Sequence, residues 1–299
     1  MDSKIHLEEN YVRPKPNVNF SSLVMIFVIT YIFIVCITMA FHKKSDTKFI
    51  YTGSLNINEI LVLIFIIVVL SLFRIADSNL NKDTWKYLTK SSSISLQPTT
   101  SEPINENSFL RRPWNCHSSV FLSAAGLYII LFVISNKYIC VAPYCSLYYG
   151  VILFILGLLS YGWWGSNREL LWHMDNRFME YTAIALAVVF LVSCQCISDN
   201  LGLVIISIFI IIRECITNKK LVPGAMEKAF FIVLICAFIM IYFSPCNINR
   251  FYLGLALVLI GLLCKSADWM EGYAQGTALF HFFAALSFYI LWSWTQTTV

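Results

Sequence analysis

Residues 272–294 read GYAQGTALFHFFAALSFYILWSW, the last long apolar stretch of the chain. A helix of this length crosses a bilayer, because about 20 apolar residues span the ~30 Å hydrocarbon core. Thr277 and His281 are four residues apart, so their side chains lie on one face of such a helix. An ionisable residue inside a membrane helix is energetically costly and indicates function by default. The search for a functional site therefore starts at His281.

The composition predicts a membrane protein. The chain has 299 residues, of which 58% are hydrophobic and 13% are charged. Soluble domains contain about 25% charged residues, so this chain has too little polar surface for a water-soluble globule. The net charge of +4 is small and is spread over the loops, so nothing in the sequence favours a nucleic acid as partner.

Hydropathy predicts an all-α polytopic bundle of nine transmembrane helices. The apolar runs lack the ten-residue alternation of β-barrel strands. The predicted spans are 20–41, 59–75, 117–135, 146–164, 177–196, 201–213, 228–244, 251–264 and 272–294.

The polar stretches divide the chain into three parts. Residues 1–76 form an N-terminal tail with two transmembrane helices that carry no intramembrane charge. Residues 77–110 are rich in Ser, Thr and Asn and are expected to form a flexible cytosolic linker. Residues 111–299 contain the remaining seven spans and all the polar residues that could form a site.

The distribution of basic residues predicts the orientation. Sixteen of the 21 Lys and Arg residues lie on one side of the nine-span topology. The positive-inside rule places that side, with the N-terminus, in the cytosol and the C-terminus outside or in a lumen. We expect an endomembrane or the plasma membrane as the location.

Three polar residues from three predicted helices fall at one depth, near the cytosolic face. They are Ser160, Asp175 and His281, and their convergence suggests a site. Simpler roles remain open for each: Ser160 could bond a backbone carbonyl, Asp175 could cap its helix, and His281 could be a hydrogen-bonded core residue. His117 and His173 lie at the same face, where histidines are usually solvated.

Three motifs resemble the alkaline ceramidase family. Residues 157–175, GLLSYGWWGSNRELLWHMD, resemble its G-x-x-S-x-x-x-H pattern with an Asp eleven residues after the His. Residues 275–292, QGTALFHFFAALSFYILW, resemble its last helix, and residues 111–128, RRPWNCHSSVFLSAAGLY, resemble its first. The order and spacing of all three agree with membership of the CREST superfamily of seven-helix membrane hydrolases.

The resemblance implies a zinc site that this chain retains only in part. In the family, three histidines hold zinc beside a Ser and an Asp. Here Ser160 and Asp175 match the catalytic pair and His281 matches one ligand, whereas Trp164 and Thr277 stand at the two other histidine positions. Zinc normally needs three protein ligands plus a water in a catalytic site, so the implied cofactor lacks two ligands.

Two further features bear on this metal chemistry. His117 and His173 are candidate replacements for the missing ligands, because they lie at the same predicted depth as His281. Ceramidases carry an acidic calcium-binding stretch before the first helix. This chain lacks a clear counterpart, and Arg112 stands at the position of one of its acidic residues.

The resemblance implies one of two functions. The first is a hydrolase of sphingolipid metabolism that cleaves a lipid amide such as ceramide. Its His281 would bind metal, Asp175 would act as base, and Ser160 would assist an oxyanion or water. The alternative is a pseudoenzyme, that is, a lipid-binding or receptor-like seven-helix protein without catalysis. The sequence does not identify a protein partner.

Overall fold

A computed structural model describes residues 100–105, 109–136, 140–216, 225–243, 248–271 and 275–296, with several residues between 61 and 71. This part of the chain is helical and has no strand. Its seven long helices are α1 (Pro113–Ser135), α2 (Pro143–Ser166), α3 (Glu169–Ser193), α4 (Asp199–Ile216), α5 (Ala225–Phe243), α6 (Ile248–Glu271) and α7 (Gly276–Thr295). Each corresponds to one of the last seven predicted spans. The first predicted span lies outside the described residues, and the second is helical where it is described.

The predicted count of nine spans is not confirmed. Five helices are long and apolar enough to cross a membrane, namely α1, α2, α3, α6 and α7. Helix α5 is apolar over Ile232–Tyr242, the part of it whose side chains are described. Helix α4 has 18 residues and includes Asp199, Arg213 and Glu214. The described residues therefore support an integral membrane helix bundle without fixing its number of spans.

Helix α3 begins eight residues earlier than the apolar pattern predicts, at Glu169 instead of 177. Two charged residues inside the predicted span, Arg177 and Glu180, pair with α4. The Arg213 guanidinium donates to both carboxylate oxygens of Glu180, at 2.8 and 3.2 Å, and Arg177 donates to Glu214 at 2.6 Å. The added residues 169–176 include Glu169, His173, Asp175 and Asn176, which hydropathy does not assign to a span although they continue the helix.

Helices α1 and α2 pack closely through small residues. A side chain at Gly157 on α2 would meet the backbone nitrogen and hydroxyl of Ser123 and would lie 2.9 Å from the carbonyl oxygen of Ser119. Gly126 on α1 faces the backbone of α2 in the same way. Close backbone approach at small residues is a common mode of helix association in membranes. It places the Ser-rich face of α1 against α2.

Helix α2 is capped from a distant part of the chain. It begins at Pro143 and receives no side-chain cap from its own N-cap residue, Ala142. The Asp199 carboxylate at the start of α4 instead accepts hydrogen bonds from the backbone N–H groups of Tyr144 and Cys145, both at 2.8 Å. This carboxylate accepts hydrogen bonds from two N–H groups that have no partner within the helix. Its negative charge also interacts favourably with the positive end of the helix dipole.

We predict that Gly157→Ala destabilises the bundle, because its methyl group would overlap backbone atoms of α1. Overpacking of this kind costs about 1–3 kcal/mol. Thermal unfolding in detergent should show a lower midpoint. Gly162→Ala is the matched control, since its methyl group would meet only the flexible Leu171 side chain, at 3.1 Å. Equal midpoints for the two variants would contradict the close α1–α2 packing.

Candidate functional site

His281 lies buried on α7 and contacts two serines of α1. Its Nδ1 atom is 2.9 Å from the Ser118 hydroxyl and 3.5 Å from the Ser119 hydroxyl. The side chain is 5% exposed. Both serines also donate to the carbonyl oxygen of Asn115, at 3.0 and 2.8 Å, so their hydroxyl positions are fixed by their own helix.

A chain of hydrogen bonds links His281 to the two other predicted site residues. The Ser119 and Ser160 hydroxyl oxygens are 3.0 Å apart, within hydrogen-bond distance, and Ser160 hydrogen-bonds the Asp175 carboxylate. Asp175 is the seventh residue of α3, so the interpretation of this residue as a helix cap is wrong. The structure thus brings Ser160, Asp175 and His281 together across α2, α3 and α7, through Ser119 of α1.

A lysine that the sequence analysis did not select completes this cluster. Lys265 on α6 lies close enough to Asp175, Asp268 and His281 to interact with each of them electrostatically. Its ammonium nitrogen is also 4.7 Å from the centre of the Phe280 ring. The positive charge of Lys265 compensates Asp175, whose Oδ1 atom has no hydrogen-bond partner among the described residues. We call Ser118, Ser119, Ser160, Asp175, Lys265 and His281 the polar cluster.

Thr277, where the resemblance predicts a histidine, takes part in a second network around Asp268. The Asp268 carboxylate is 1% exposed and accepts five hydrogen bonds. The Thr277 N–H donates to it at 3.1 Å, and the Thr277 hydroxyl donates to the same oxygen. The remaining three donors belong to Thr100 and Ser101. Gly276 allows this approach, since a side chain there would lie 2.7 Å from Asp268 Cβ.

The residues around Thr100 therefore dock onto the bundle, although they fall in the segment predicted to be a flexible linker. The Thr100 hydroxyl donates to Asp268 at 2.6 Å and accepts from the side-chain amide of Asn115 at 3.1 Å. Glu102 accepts the backbone N–H groups of Trp114 and Asn115, at 2.7 and 3.0 Å. Its carboxylate thereby caps α1, which begins at a proline and has no side-chain cap of its own.

Burial dominates the electrostatics of this docked segment. It raises the pKa of Glu102 to about 8, against the lowering effects of the two N–H donors and of Arg112. Burial also lowers the pKa of Arg112, an effect that the nearby carboxylates of Glu102 and Asp268 oppose. The Arg112 guanidinium donates to the side-chain oxygen of Asn167 at 3.3 Å.

Trp164, at the other substituted histidine position, fills the space beside His281. The centres of the two rings are 5.8 Å apart, and Trp164 is 4% exposed. The Arg112 guanidinium lies 5.7 Å from the centre of the Trp164 ring, at the distance of a cation–π contact. The indole thus separates His281 from the charged groups near the start of α1.

These residues do not fit a zinc ion held by three protein ligands. His281 Nδ1 contacts Ser118, so only its Nε2 atom could bind a metal. Trp164 has no metal-binding atom, and the Thr277 hydroxyl already donates to Asp268. Among the described residues, no group of three His, Cys, Asp or Glu side chains is placed to hold a metal ion. His117 is buried on α1, and the His173 ring lies 4.9 Å from Trp172. Their role as replacement ligands stays a prediction.

An apolar cleft lies at the other end of the bundle. Helix α5 packs against α3 and helix α6 packs against α7, which leaves a partly open cleft between α5 and α6. Leu291 in its wall lies ten residues beyond His281 on α7, a distance of about 15 Å along a helix. The lining residues are Phe190, Val233, Leu234, Ala237, Phe251, Leu255, Val258 and Leu291.

Sequence reasoning missed Ser118, Ser119, Lys265, Asp268 and Glu102. The sequence did offer a sign of Lys265 and Asp268. They directly follow the apolar span 251–264, and a helix that continues past this span would carry both charges into the bundle. For the serines and Glu102 the sequence offered no such sign, since their roles depend on which helices meet.

A comparison with models of known protein families gives no match, and a comparison with curated proteins gives no match either. The resemblance to ceramidases therefore depends on the three motifs alone.

We predict that Asp268→Asn loosens the docked segment, because an amide cannot accept all five hydrogen bonds and its NH2 group would face donors. Each hydrogen bond to a buried charge contributes about 1.5–3 kcal/mol. Amide hydrogen exchange should become faster at residues 100–105 and at the start of α7. Asp199→Asn is the matched control, since it weakens a helix cap at the far end of α2. Unchanged exchange at 100–105 in Asp268→Asn would disprove the role of this carboxylate.

We also predict a pH dependence that comes from Glu102. Its pKa is higher in the folded state, about 8, than the ordinary value of 4.5, so the folded protein binds more protons between these values. The free energy of unfolding should therefore fall as the pH rises from about 5 to about 8, by at most about 1.4 kcal/mol per unit. Glu102→Gln should remove this part of the slope in chemical unfolding curves. Identical slopes in the two proteins would refute the assignment.

Proposed function

We propose that this chain is a membrane protein related to the ceramidase-like seven-helix hydrolases, and that it binds a membrane lipid without zinc-dependent hydrolysis. One observation supports this above the others. Trp164 and Thr277 occupy two of the three positions at which the resemblance predicts zinc ligands. Trp164 packs against the His281 ring, and the Thr277 hydroxyl donates to Asp268.

The chemistry of zinc explains why these substitutions matter. A catalytic zinc ion lowers the pKa of its bound water to about 7, and it needs three protein ligands to be held while it does so. His281 alone would bind the ion weakly. The hydroxyl and backbone N–H of Thr277 are both directed at Asp268, so this residue would have to leave a buried carboxylate to approach a metal.

The polar cluster also compensates its own charges. Lys265 provides a positive charge beside Asp175 and His281, on the side of the bundle where the resemblance would place a metal. Ser119 and Ser160 connect the histidine to the carboxylate. These contacts connect α1, α2, α3, α6 and α7 through side chains of the protein itself.

The apolar cleft is the feature that favours lipid binding. Its walls are formed by aliphatic and aromatic side chains, and it opens toward the outside of the bundle. An acyl chain matches these walls in chemistry, and the cleft, at about 20 Å³, has to widen between α5 and α6 to admit one. Ceramide or another sphingolipid is the ligand that the resemblance suggests.

A lipid amide hydrolase is the second candidate, and the contact between Ser118 and His281 favours it. The Ser118 hydroxyl and His281 Nδ1 are 2.9 Å apart, so the imidazole can activate this hydroxyl once its proton turns from the Asn115 carbonyl to Nδ1. Ser118 is fully buried, however, and His281 is 5% exposed. A substrate would reach this pair only after the helices separate.

A turnover assay tests the absence of zinc hydrolysis. Purified full-length protein in lipid vesicles should cleave a fluorescent ceramide no faster than His281→Ala, with zinc present or absent. Zinc-dependent turnover that His281→Ala abolishes would overturn the proposal. Turnover that needs Ser118 and is independent of zinc would instead support the second candidate.

Lipid binding is tested separately with a photoactivatable ceramide. Crosslinking to residues of the cleft should fall severalfold in Ala237→Trp, since Ala237 is fully buried in its wall and the indole would fill the space. Ile235→Trp is the matched control, because Ile235 lies on the same helix and is 44% exposed. Equal crosslinking of both variants would show that the cleft does not select the lipid.

A further inference from the structure

Two cysteines follow the last residue of α3 and flank Gln195. The helix stops at Ser193 and continues as Cys194, Gln195 and Cys196. Gln195 has a φ of 61°, in the left-handed region. Its N–H donates to the carbonyl of Val192 at 2.9 Å, and the N–H of Cys196 donates to that of Leu191 at 3.0 Å. This pair of hydrogen bonds around a left-handed residue is the Schellman motif, a common helix terminus.

The motif brings the two thiols together. The sulfur atoms of Cys194 and Cys196 are 3.1 Å apart. Cys196 is exposed and Cys194 is partly exposed, so reagents in solution can reach the pair. Other described cysteines differ: Cys140 and Cys145 are buried, and the Cys145 thiol donates to a backbone carbonyl oxygen of α4 at 3.3 Å.

We propose that Cys194 and Cys196 form a reversible disulfide. A disulfide bond is about 2.05 Å long, so the two sulfur atoms need to approach by about 1 Å. Rotation of the Cys196 side chain achieves this, because Cys196 is exposed and lies beyond the last residue of α3. The pair is therefore a redox site within one turn, separate from the polar cluster and independent of the proposed function.

The reaction is an exchange with a small disulfide such as oxidised glutathione. The exposed Cys196 loses its proton to water, and its thiolate attacks one glutathione sulfur, so that the glutathione S–S bond breaks and one glutathione thiolate leaves. Cys194 then loses its proton and attacks the sulfur of Cys196, which expels the second glutathione. Two cysteine thiols are oxidised to one disulfide, and one glutathione disulfide is reduced to two thiols.

The position of the pair agrees with such chemistry. Cys194 lies at the end of α3 opposite Asp175, and the count of Lys and Arg residues predicts that this end lies outside the cytosol. Disulfides persist in oxidising compartments of that kind. The turn leads within three residues to Asp199, the carboxylate that caps α2. Oxidation would therefore restrain the segment that holds this cap.

Mass spectrometry of the full-length protein tests the proposal. The protein is equilibrated with mixtures of reduced and oxidised glutathione, free thiols are blocked, and peptides are analysed without reduction. We expect Cys194 and Cys196 to lose alkylation together as the mixture becomes oxidising, with a disulfide inside one peptide. Cys194→Ser should instead leave Cys196 as a stable mixed disulfide with glutathione. Cys140 should stay a thiol throughout and serves as the internal control.

Two results would overturn it. The first is alkylation of both cysteines in every mixture. The second is a disulfide between Cys196 and another cysteine, such as Cys236, in preference to Cys194. Cys196→Ser provides an independent check, because without its exposed partner Cys194 should react slowly with oxidised glutathione.

Discussion

The buried carboxylate of Asp268 is the interaction on which the polar end of the bundle depends. A charge in an apolar interior is tolerated only when hydrogen bonds satisfy it. Here five donors from two separate parts of the chain do so. These hydrogen bonds connect α6 to the start of α7 and attach the segment around Thr100 to α6. Through Asn115 the same network reaches the start of α1, where Glu102 provides the helix cap.

This constraint determines what the neighbouring polar cluster can do. Thr277 stands where the resemblance to ceramidases predicts a zinc ligand, and its hydroxyl and N–H both donate to Asp268. Trp164 stands at another such position and packs its indole against His281. Lys265 supplies a positive charge nearby. The polar residues at this end of the bundle thus contact one another. This arrangement is more compatible with a structural core than with a site that holds zinc and an activated water.

The sequence predicted the helical class, seven of the helices and the convergence of Ser160, Asp175 and His281, because apolar runs and helix direction set these features. It did not predict that α3 starts at Glu169, since the first eight residues of this helix include charged and polar residues that hydropathy leaves outside a span. Nor could composition show that residues near Thr100 are docked: a run rich in Ser and Thr reads as a linker unless the carboxylate that binds it is known. The cysteine pair at the end of α3 was missed for a similar reason, because only the left-handed Gln195 brings the thiols together.

The most direct test of this account is a zinc titration of metal-free, full-length protein by calorimetry, with His281→Ala measured in parallel. The account predicts no saturable binding of one zinc ion per chain that depends on His281. One ion bound per chain and lost in His281→Ala would contradict it. Loss in His173→Ala as well would locate the site at the replacement histidines.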